Sequence, residues 1–275
     1  MIQAMLAEKY ASAADGRAGQ PLVGQWLVEP KLDGLRAIWD GQQLYSRTGK
    51  PLTNPVDVLD CLARHFSHVQ LDGELYGKDW QKTFSAVRTT SHAVVGQVCY
   101  WVFDLTVLGT ENLCGQTLAT RKDLLEEIFE RFHTLMPVRL LESALLDGSL
   151  VLVAQKMGER GFEGAMVKRL NSPYLAGVRS GEWLKVKFED EIGVEIIGAE
   201  QGQGRLSGSL GALVVRDDKG ELFRVGTGFT DAERQRLWQM YQAGELVGLK
   251  AEVSYQPTPG FRGRFSRFIR LREDL

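Results

Sequence analysis

The pattern of apolar and polar positions predicts a chain that is built mainly of strands with a few helices. Continuous apolar runs and one alternating run predict the strands of the first two thirds, at 26–28, 35–39, 44–46, 69–75 and 98–105. Asp40-Gly41 is expected to close a hairpin. Apolar residues three and four positions apart predict helices that open at Asn54-Pro55, start at Thr120, and cover 150–157 before Gly158.

The last third of the chain has a different pattern. Five short strands are predicted at 194–199, 210–216, 222–225, 249–255 and 265–271. Thr230 followed by Glu233 is a capping box that opens one helix. Five strands and a helix in so short a segment favour a small barrel of the oligonucleotide-binding (OB) type. The acidic run at 189–191 marks the boundary and a candidate hinge over 189–193, so we predict an α+β domain over 1–188 and an OB-fold β-barrel over 189–275.

Composition restricts the class of protein. The chain has 275 residues, 44% hydrophobic and 25% charged, which is typical of a globular protein that does not enter a membrane. No run approaches the roughly eighteen apolar residues that a membrane-spanning helix needs, and no basic leader is visible. The three cysteines lack paired metal-ligand spacing. We therefore expect a monomer in a reducing cytoplasm.

The charge distribution is more informative than the net charge of −2. Residues 259–272 contain three phenylalanines and no acid, and they contain five arginines: Arg262, Arg264, Arg267, Arg270 and Arg272. Such a segment is either a solvated basic strand or a groove that faces the phosphates of a nucleic acid. The sequence leaves both readings open.

Lys31 is the candidate nucleophile, because it comes directly after a predicted strand and opens the turn Lys31-Leu32-Asp33-Gly34. A lysine must lose its proton before it attacks, and burial and nearby cations favour that loss. Candidate cations are Lys168, Lys185 and Lys187, each in an apolar strand-like run where a solvated lysine is unexpected. A lone Lys-x-Asp-Gly is weak support, since chance produces it in about one chain of this length in ten.

Other candidates stand out by their positions. Glu74 lies within an apolar strand, where a carboxylate is costly unless it is paired or binds a ligand. Lys185 and Lys187 alternate along one strand and share a face, which is either a solvent-facing edge or the wall of an anion-binding cleft. Trp101 and Phe103 are core residues by default, or one of them is a stacking wall for a base. Arg47 lies on a turn, where it either clamps a phosphate or is solvated.

Together these segments resemble the covalent nucleotidyltransferases, and most of all the minimal ATP-dependent DNA ligases. The matching segments occur in the family's order: Lys31–Arg36, Leu71–Glu74, Trp101–Asp104, Glu163–Lys168 and Trp183–Lys187. The resemblance implies a nucleotidyltransferase (adenylation) domain of antiparallel sheets and helices, followed by the OB-fold. It also implies ATP and Mg²⁺ (or Mn²⁺) as cofactors and nicked double-stranded DNA as the partner. We expect the duplex to be gripped by the two domains, or with the help of an accessory protein.

The resemblance further implies how ATP is held. Lys31 would attack the α-phosphorus, and Phe103 would stack on the base. Glu29 would contact the adenine amino group, and Glu74 would contact the ribose. Arg36 and Arg47 would contact the sugar and phosphate. The α-phosphate would be contacted by Lys168, Lys185 and Lys187. Glu74 and Glu163 would hold the metal.

The end of the chain resembles the family's last motif. Arg270, Arg272 and Asp274 would orient the pyrophosphate leaving group, and Arg262, Arg264 and Arg267 would bind DNA. Ser266 stands where the family commonly has proline, and the chain ends at Leu275 where a lysine often follows the acid.

Three alternatives to a DNA ligase remain. An RNA ligase and an mRNA guanylyltransferase share the lysine motif, and labelling with ATP rather than GTP separates the latter. The third alternative, from another class, is a DNA-end binding module without catalysis, whose role would survive the loss of the Lys31 amine. The presence of every catalytic side chain that the resemblance requires disfavours that module.

Overall fold

A computed structural model describes residues 2–10, 22, 24–77, 83–85, 87, 96, 98–131, 137–187, 190–255 and 266–272. The chain divides into two compact units, Met1–Val186 and Lys187–Leu275. Within the described ranges no helix is both long and apolar enough to cross a bilayer. The exact domain boundary at residue 188 stays a prediction.

The first unit combines two mainly antiparallel sheets with helices. In chain order its described elements are β1 (Leu6–Lys9), β2 (Trp26–Pro30), β3 (Leu35–Trp39), β4 (Leu44–Ser46), α1 (Val56–His65), β5 (Val69–Gly77), β6 (Val98–Leu108), β7 (Glu111–Asn112), α2 (Leu118–Glu130), β8 (Val138–Leu140), β9 (Ala144–Leu145), α3 (Leu150–Glu159), β10 (Gly164–Arg169) and β11 (Arg179–Lys187). One sheet has the order β1-β11-β10-β2-β9, and the other has the order β4-β3-β5-β6-β7 with β8 beside β6. The predicted α+β class is confirmed.

The predicted helices exist, but their ends differ from the prediction. Helix α1 follows Asn54-Pro55, with Pro55 at the cap and no side-chain capping bond. Helix α2 begins two residues before Thr120, because the Thr117 hydroxyl caps it by accepting the Thr120 N–H. Helix α3 continues through Gly158 to Glu159. A single glycine costs a helix only about 1 kcal/mol relative to alanine, so it need not end one.

Three apolar clusters stabilise the first unit. The largest packs the β4-β3-β5-β6-β7 sheet against α1 and α2. A second packs β2, β10 and β11 against α3. A smaller cluster joins the two sheets and consists of Met5, Leu32, Phe103, Leu141, Tyr174 and Trp183. This last cluster lies beside the charged residues described below, so it forms the apolar support of the candidate site.

In its described residues, the second unit consists of a five-stranded antiparallel sheet, one α-helix and a short 3-10 helix at Gly204–Leu206. Its elements are β12 (Asp190–Gln201), β13 (Leu210–Arg216), β14 (Leu222–Val225), α4 (Asp231–Gln242), β15 (Lys250–Tyr255) and β16 (Arg267–Leu271), and the strand order is β14-β13-β12-β15-β16. A bridge between Thr227 and Arg267 joins the two edges of the sheet. The Ser266 hydroxyl adds a bond to the Arg224 carbonyl at 2.8 Å. The predicted OB-type barrel and the capping box at Thr230 and Glu233 are confirmed.

The segment predicted as a hinge is partly a strand. Asp190 to Gly193 begin β12 and pair with Tyr255 to Glu252 of β15. A hinge within these four residues would therefore have to open a strand pair, and Glu189 lies outside the described residues.

Candidate active site

Lys31 and Glu163 face each other because the β2–β10 ladder continues past the end of β2. The Lys31 N–H donates to the Gly164 carbonyl at 2.9 Å, and the Glu163 N–H donates to the Lys31 carbonyl at 3.1 Å. The Lys31 ammonium forms an ion pair with the Glu163 carboxylate. The candidate nucleophile is thus held by its own backbone opposite an acid that lies 132 residues away in sequence.

Glu74 lies next to this pair, and Gly34 makes its position possible. A Cβ on Gly34 would lie 2.3 Å from the Leu75 carbonyl oxygen and 2.9 Å from the Cγ of Glu74, so only glycine lets the turn approach β5 this closely. Burial raises the pKa of Glu74 to about 7, although the charges of Arg36 and Lys31 act in the opposite direction. The nearby carboxylates of Asp72 and Glu163 add to the increase in pKa.

Arg36 is the partner of Glu74 across the β3–β5 pair, and it binds the neighbouring acid. Its Nε and Nη2 donate to the two oxygens of Asp72 at 2.7 and 2.5 Å. The Tyr174 hydroxyl donates to the same carboxylate at 2.6 Å. The guanidinium carbon lies 4.8 Å from the centre of the Phe103 ring, a distance typical of a cation–π contact.

A second buried ion cluster surrounds Glu29. One of its oxygens lies 2.6 Å from the Lys168 ammonium, and the other lies 2.5 Å from the Lys122 ammonium. The Lys168 ammonium also lies 4.1 Å from the ring centres of both Phe103 and Trp183. Burial lowers the pKa of Lys168 and the charge of Lys122 lowers it further, while Glu29 opposes both. A positive charge is therefore concentrated beside two aromatic rings.

The remaining predicted residues of β11 and of the turn after β4 are placed as follows. Leu184 and Val186 pack into the cluster against α3, so the alternation of β11 directs Lys185 and Lys187 to the opposite face, which is the face of Trp183. Arg47 is exposed on the turn after β4. The structure thus brings Lys31, Glu163, Glu74, Arg36 and Phe103 together, whereas the Arg47 side chain is exposed on its turn.

In the second unit, Arg267 and Arg270 lie on β16 and Arg272 follows it. Arg270 forms an ion pair with Glu252 at 2.6 Å. The predicted residues Arg262, Arg264 and Asp274 lie outside the described residues.

Sequence reasoning missed three partners in this site. Asp72 lies two residues before Glu74 on β5, and that spacing could have indicated that the two acids share a face. Tyr174 and Lys122 offered no comparable signal, because one follows β10 in an irregular segment and the other lies in the second turn of α2. Only the tertiary fold brings them to the site.

Glu74 and Glu163 also suit a divalent cation. Among the described residues there is no group of three or more metal-ligating side chains. Mg²⁺, however, is usually held by one or two carboxylates together with substrate phosphates. Burial is the main cause of the raised pKa of Glu74, and a divalent cation bound beside it would favour the ionised carboxylate.

Comparisons with known proteins match both units. The family described as "ATP dependent DNA ligase domain" matches residues 4–187, and the family described as "DNA ligase OB-like domain" matches residues 201–272. A DNA ligase of Methanoculleus marisnigri is 32% identical over 289 aligned residues, which cover 91% of this chain and 52% of that protein. The chain spans only 30% to 52% of the length of the first curated relatives that it matches.

Two solved structures agree with these matches. The ligase domain of LigD from M. tuberculosis is 28% identical, with a TM-score of 0.56 over 100% of this chain and 96% of that chain. A structure described as "DNA binding with a minimal scaffold: Structure-function analysis of Lig E DNA ligases" has the same fold, with a TM-score of 0.75 at 24% identity, over 99% of this chain and 100% of that chain.

Proposed function

Because this chain belongs to the ATP-dependent DNA ligase family, whose model matches residues 4–187, we propose that it seals nicks in double-stranded DNA. The ends to be joined are a 5′-phosphate and a 3′-hydroxyl. The reaction runs through AMP bound covalently to Lys31. The single observation that carries this proposal is the placement of Lys31 opposite Glu163 and beside Glu74.

The first step joins Lys31 to AMP. Glu163 contacts the Lys31 ammonium and is placed to accept the proton that the amine must lose. The Nζ–phosphorus bond then forms while the bond from the α-phosphorus to pyrophosphate breaks. Mg²⁺ or Mn²⁺, held by Glu74 and Glu163, would supply charge stabilisation on the phosphates.

The nucleotide would lie along the aromatic and cationic face of this unit. Phe103 stacks on adenine, Glu74 binds the ribose, and Arg36 and Arg47 contact the sugar and phosphate. Lys185 and Lys187 face the α-phosphate. Glu29 reads the adenine amino group, and Lys168 would have to leave its pair with Glu29 to reach a phosphate.

The later steps use DNA. AMP moves from Lys31 to the 5′-phosphate at the nick, and the adjacent 3′-hydroxyl then displaces AMP. Arg262, Arg264 and Arg267 bind the DNA backbone, whereas Arg270, Arg272 and Asp274 orient pyrophosphate in the first step. We expect nick binding to weaken steeply as salt rises, because phosphate contacts release counterions, and binding that did not change with salt would contradict this assignment.

The biological setting is part of the same proposal. A monomer that acts in DNA replication, repair or recombination in the cytoplasm would suit this chemistry. The cysteines Cys61, Cys99 and Cys114 are free thiols, which suits a reducing compartment.

The experiment that tests the proposal is covalent labelling with radioactive ATP or GTP in the presence of magnesium. Wild type is compared with Lys31→Ala and with Lys50→Ala, because Lys50 is an exposed lysine on a turn and serves as a matched control. ATP label on wild type and Lys50→Ala, but not on Lys31→Ala, is the expected result. GTP label would instead indicate a guanylyltransferase, and an absence of label on every protein would favour the binding module. Sealing of nicked RNA in preference to nicked DNA would indicate an RNA ligase.

A further inference from the structure

A chain of hydrogen bonds ties the N-terminal segment to Arg36. The Met5 N–H donates to the Tyr174 hydroxyl at 3.0 Å, and this hydroxyl donates to Asp72 at 2.6 Å. Asp72 accepts two bonds from Arg36, and the Met5 carbonyl accepts a third from Arg36 at 3.2 Å. The four residues therefore form a closed ring of contacts.

The N-terminal segment is anchored independently of Arg36. The Ile2 backbone exchanges two hydrogen bonds with the Gln70 side chain, and the Leu6 N–H donates to the Val178 carbonyl at 2.8 Å. The Met5 side chain is fully buried, and its sulfur accepts the Leu175 N–H at 3.2 Å. The Met5 carbonyl is consequently a fixed acceptor rather than a group on a loose terminus.

The ring leaves one part of the Arg36 guanidinium available. A guanidinium has five N–H donors, one on Nε and two on each terminal nitrogen. Nε and Nη2 use their three donors on Asp72 and Met5. Within the described residues, Nη1 has no hydrogen-bond partner. Since the guanidinium lies over the Phe103 ring, its remaining donors are beside the place proposed for the base.

Tyr174 holds the ring together. Burial raises its pKa well above the ordinary value, and the Asp72 charge raises it further, so the hydroxyl stays protonated and remains a donor. It is the one group in the ring that bonds both to Asp72 and to the Met5 N–H, the two neighbours that fix Arg36. The Tyr174 ring also packs edge-on against Trp183, with centroids 5.7 Å apart.

We propose that Tyr174, together with the backbone of Met5, is a positioning element that presents Nη1 of Arg36 to a sugar hydroxyl of the bound nucleotide. The proposal rests on the proposed function, which places adenine on Phe103 and the ribose near Arg36. Tyr174 itself does not touch the nucleotide; it acts through Asp72 and Arg36.

The test compares Tyr174→Phe with wild type in single-turnover labelling by ATP, 2′-deoxy-ATP and 3′-deoxy-ATP. The Phe variant should raise the ATP concentration for half-maximal rate by about tenfold while the maximal rate changes by less than about threefold, as expected for a lost positioning bond. Replacing ATP by at least one of the deoxy analogues should weaken binding to wild type. The same replacement should weaken binding to Tyr174→Phe by a factor about fivefold smaller, because contacts that act through one another are not additive.

Tyr100→Phe is the matched control. The Tyr100 hydroxyl is also fully buried, but it donates to the backbone carbonyls of Ala37 and Leu71 at 2.9 and 3.1 Å. The control variant therefore loses the same chemical group, which makes no hydrogen bond to a side chain of the ring. We expect Tyr100→Phe to have a lower melting temperature than wild type. The ATP concentration for its half-maximal labelling rate, and its loss of affinity for the deoxy analogues, should equal those of wild type.

The outcomes separate this proposal from the proposed function. Suppose that wild type takes up label and that the deoxy analogues lose as much affinity for Tyr174→Phe as they lose for wild type. The positioning role is then wrong, while the ligase proposal stands. If wild type takes up no label, both are overturned. If Tyr174→Phe fails to fold, Asp72→Asn replaces it, because this variant preserves side-chain volume but offers one acceptor oxygen instead of two. Asp72→Asn must then show the same loss of discrimination between ATP and the deoxy analogues. Unchanged discrimination would overturn the proposal.

Discussion

The buried ion pairs among the described residues lie in the first unit, whereas each described pair of the second unit has at least one exposed side chain. The first unit also has an exposed pair, Arg160–Glu142, with side chains that are 53% and 78% exposed. Arg121 and Asp104 are both 0% exposed in their side chains, and Glu29 is enclosed with its two lysines. In the second unit, Arg216 and Glu195 are 48% and 42% exposed in their side chains. The pairs Arg205–Asp231, Arg224–Glu200 and Arg270–Glu252 each have an arginine that is largely exposed, although the Glu252 side chain is only 21% exposed.

Buried pairs and surface pairs differ in what they cost and in what they contribute to stability. A buried pair costs several kcal/mol of desolvation per ion and is poor evidence of stability by itself. The buried pairs at Glu29 and Asp72 border the candidate site, where fixed charges can orient a nucleotide without reorganisation. Surface pairs are screened by salt and contribute about 0 to 1 kcal/mol each. The first unit thus buries charged pairs beside the candidate site, whereas its surface pairs and those of the second unit are solvated.

The largest effect is expected from breaking a buried pair. Arg121 donates from Nε and Nη2 to Asp104 at 2.8 and 3.0 Å. Asp104→Asn would leave a buried guanidinium without its counter-charge and should lower the free energy of unfolding by about 3 to 5 kcal/mol. Urea unfolding followed by circular dichroism measures this value. A loss below about 1 kcal/mol would show that burial does not distinguish the two units.

The second-largest effect should be a dependence of the free energy of unfolding on pH. The pKa of Glu74 is about 7 in the folded chain against 4.5 as its ordinary value. Between these two pH values the folded chain keeps a proton that the unfolded chain has lost, so stability should fall as pH rises from about 4.5 to about 7, by about 1 to 3 kcal/mol. Glu74→Gln cannot titrate and should lack this slope. Equal slopes for both proteins, measured by urea unfolding at pH 5 and pH 8, would contradict the raised pKa.

A neutral bond should matter more than surface charge in the second unit. Ser266→Ala removes the hydroxyl that donates to the Arg224 carbonyl between the barrel edges, and it should cost about 1 kcal/mol. Ser266→Thr retains a hydroxyl and should recover most of this loss. Thermal unfolding of the three proteins makes the comparison, and equal melting temperatures for Ser266→Ala and wild type would show that the bond is dispensable.

The smallest effect belongs to a surface pair. Glu195→Gln removes the partner that Arg216 contacts at 3.0 Å. Because both side chains are exposed, the loss should be below about 1 kcal/mol and should disappear at about 1 M salt, where screening acts within a few ångströms. Unfolding at low and high salt measures it. A loss comparable to that of Asp104→Asn would remove the contrast between the units.

The sequence predicted most of the fold and the core of the site. The order of the apolar runs placed Lys31 after one strand and Glu163 before another, and the alternation in β11 assigned Lys185 and Lys187 to one face. These features are local, so a pattern of short period reveals them.

The partners of these residues could not be predicted in the same way. Tyr174 bonds to Asp72 across 102 residues, and Met5 reaches Tyr174 across 169 residues. Such contacts depend on how two sheets pack together, which no local pattern encodes. The start of α2 was missed for a smaller reason, since two threonines, Thr117 and Thr120, could each have capped it and the structure uses the first.

The most direct test of the central claim is nick sealing by protein that already carries AMP. Wild type is labelled with ATP and magnesium, freed of nucleotide, and mixed with a nicked duplex that bears a 5′-phosphate. The proposal predicts sealed DNA in an amount equal to the adenylylated protein, together with release of AMP, and no sealing by Lys31→Ala. If the adenylylated protein retained its AMP on nicked DNA and sealed nothing, the chain would not act as a DNA ligase on that substrate and the account would be wrong.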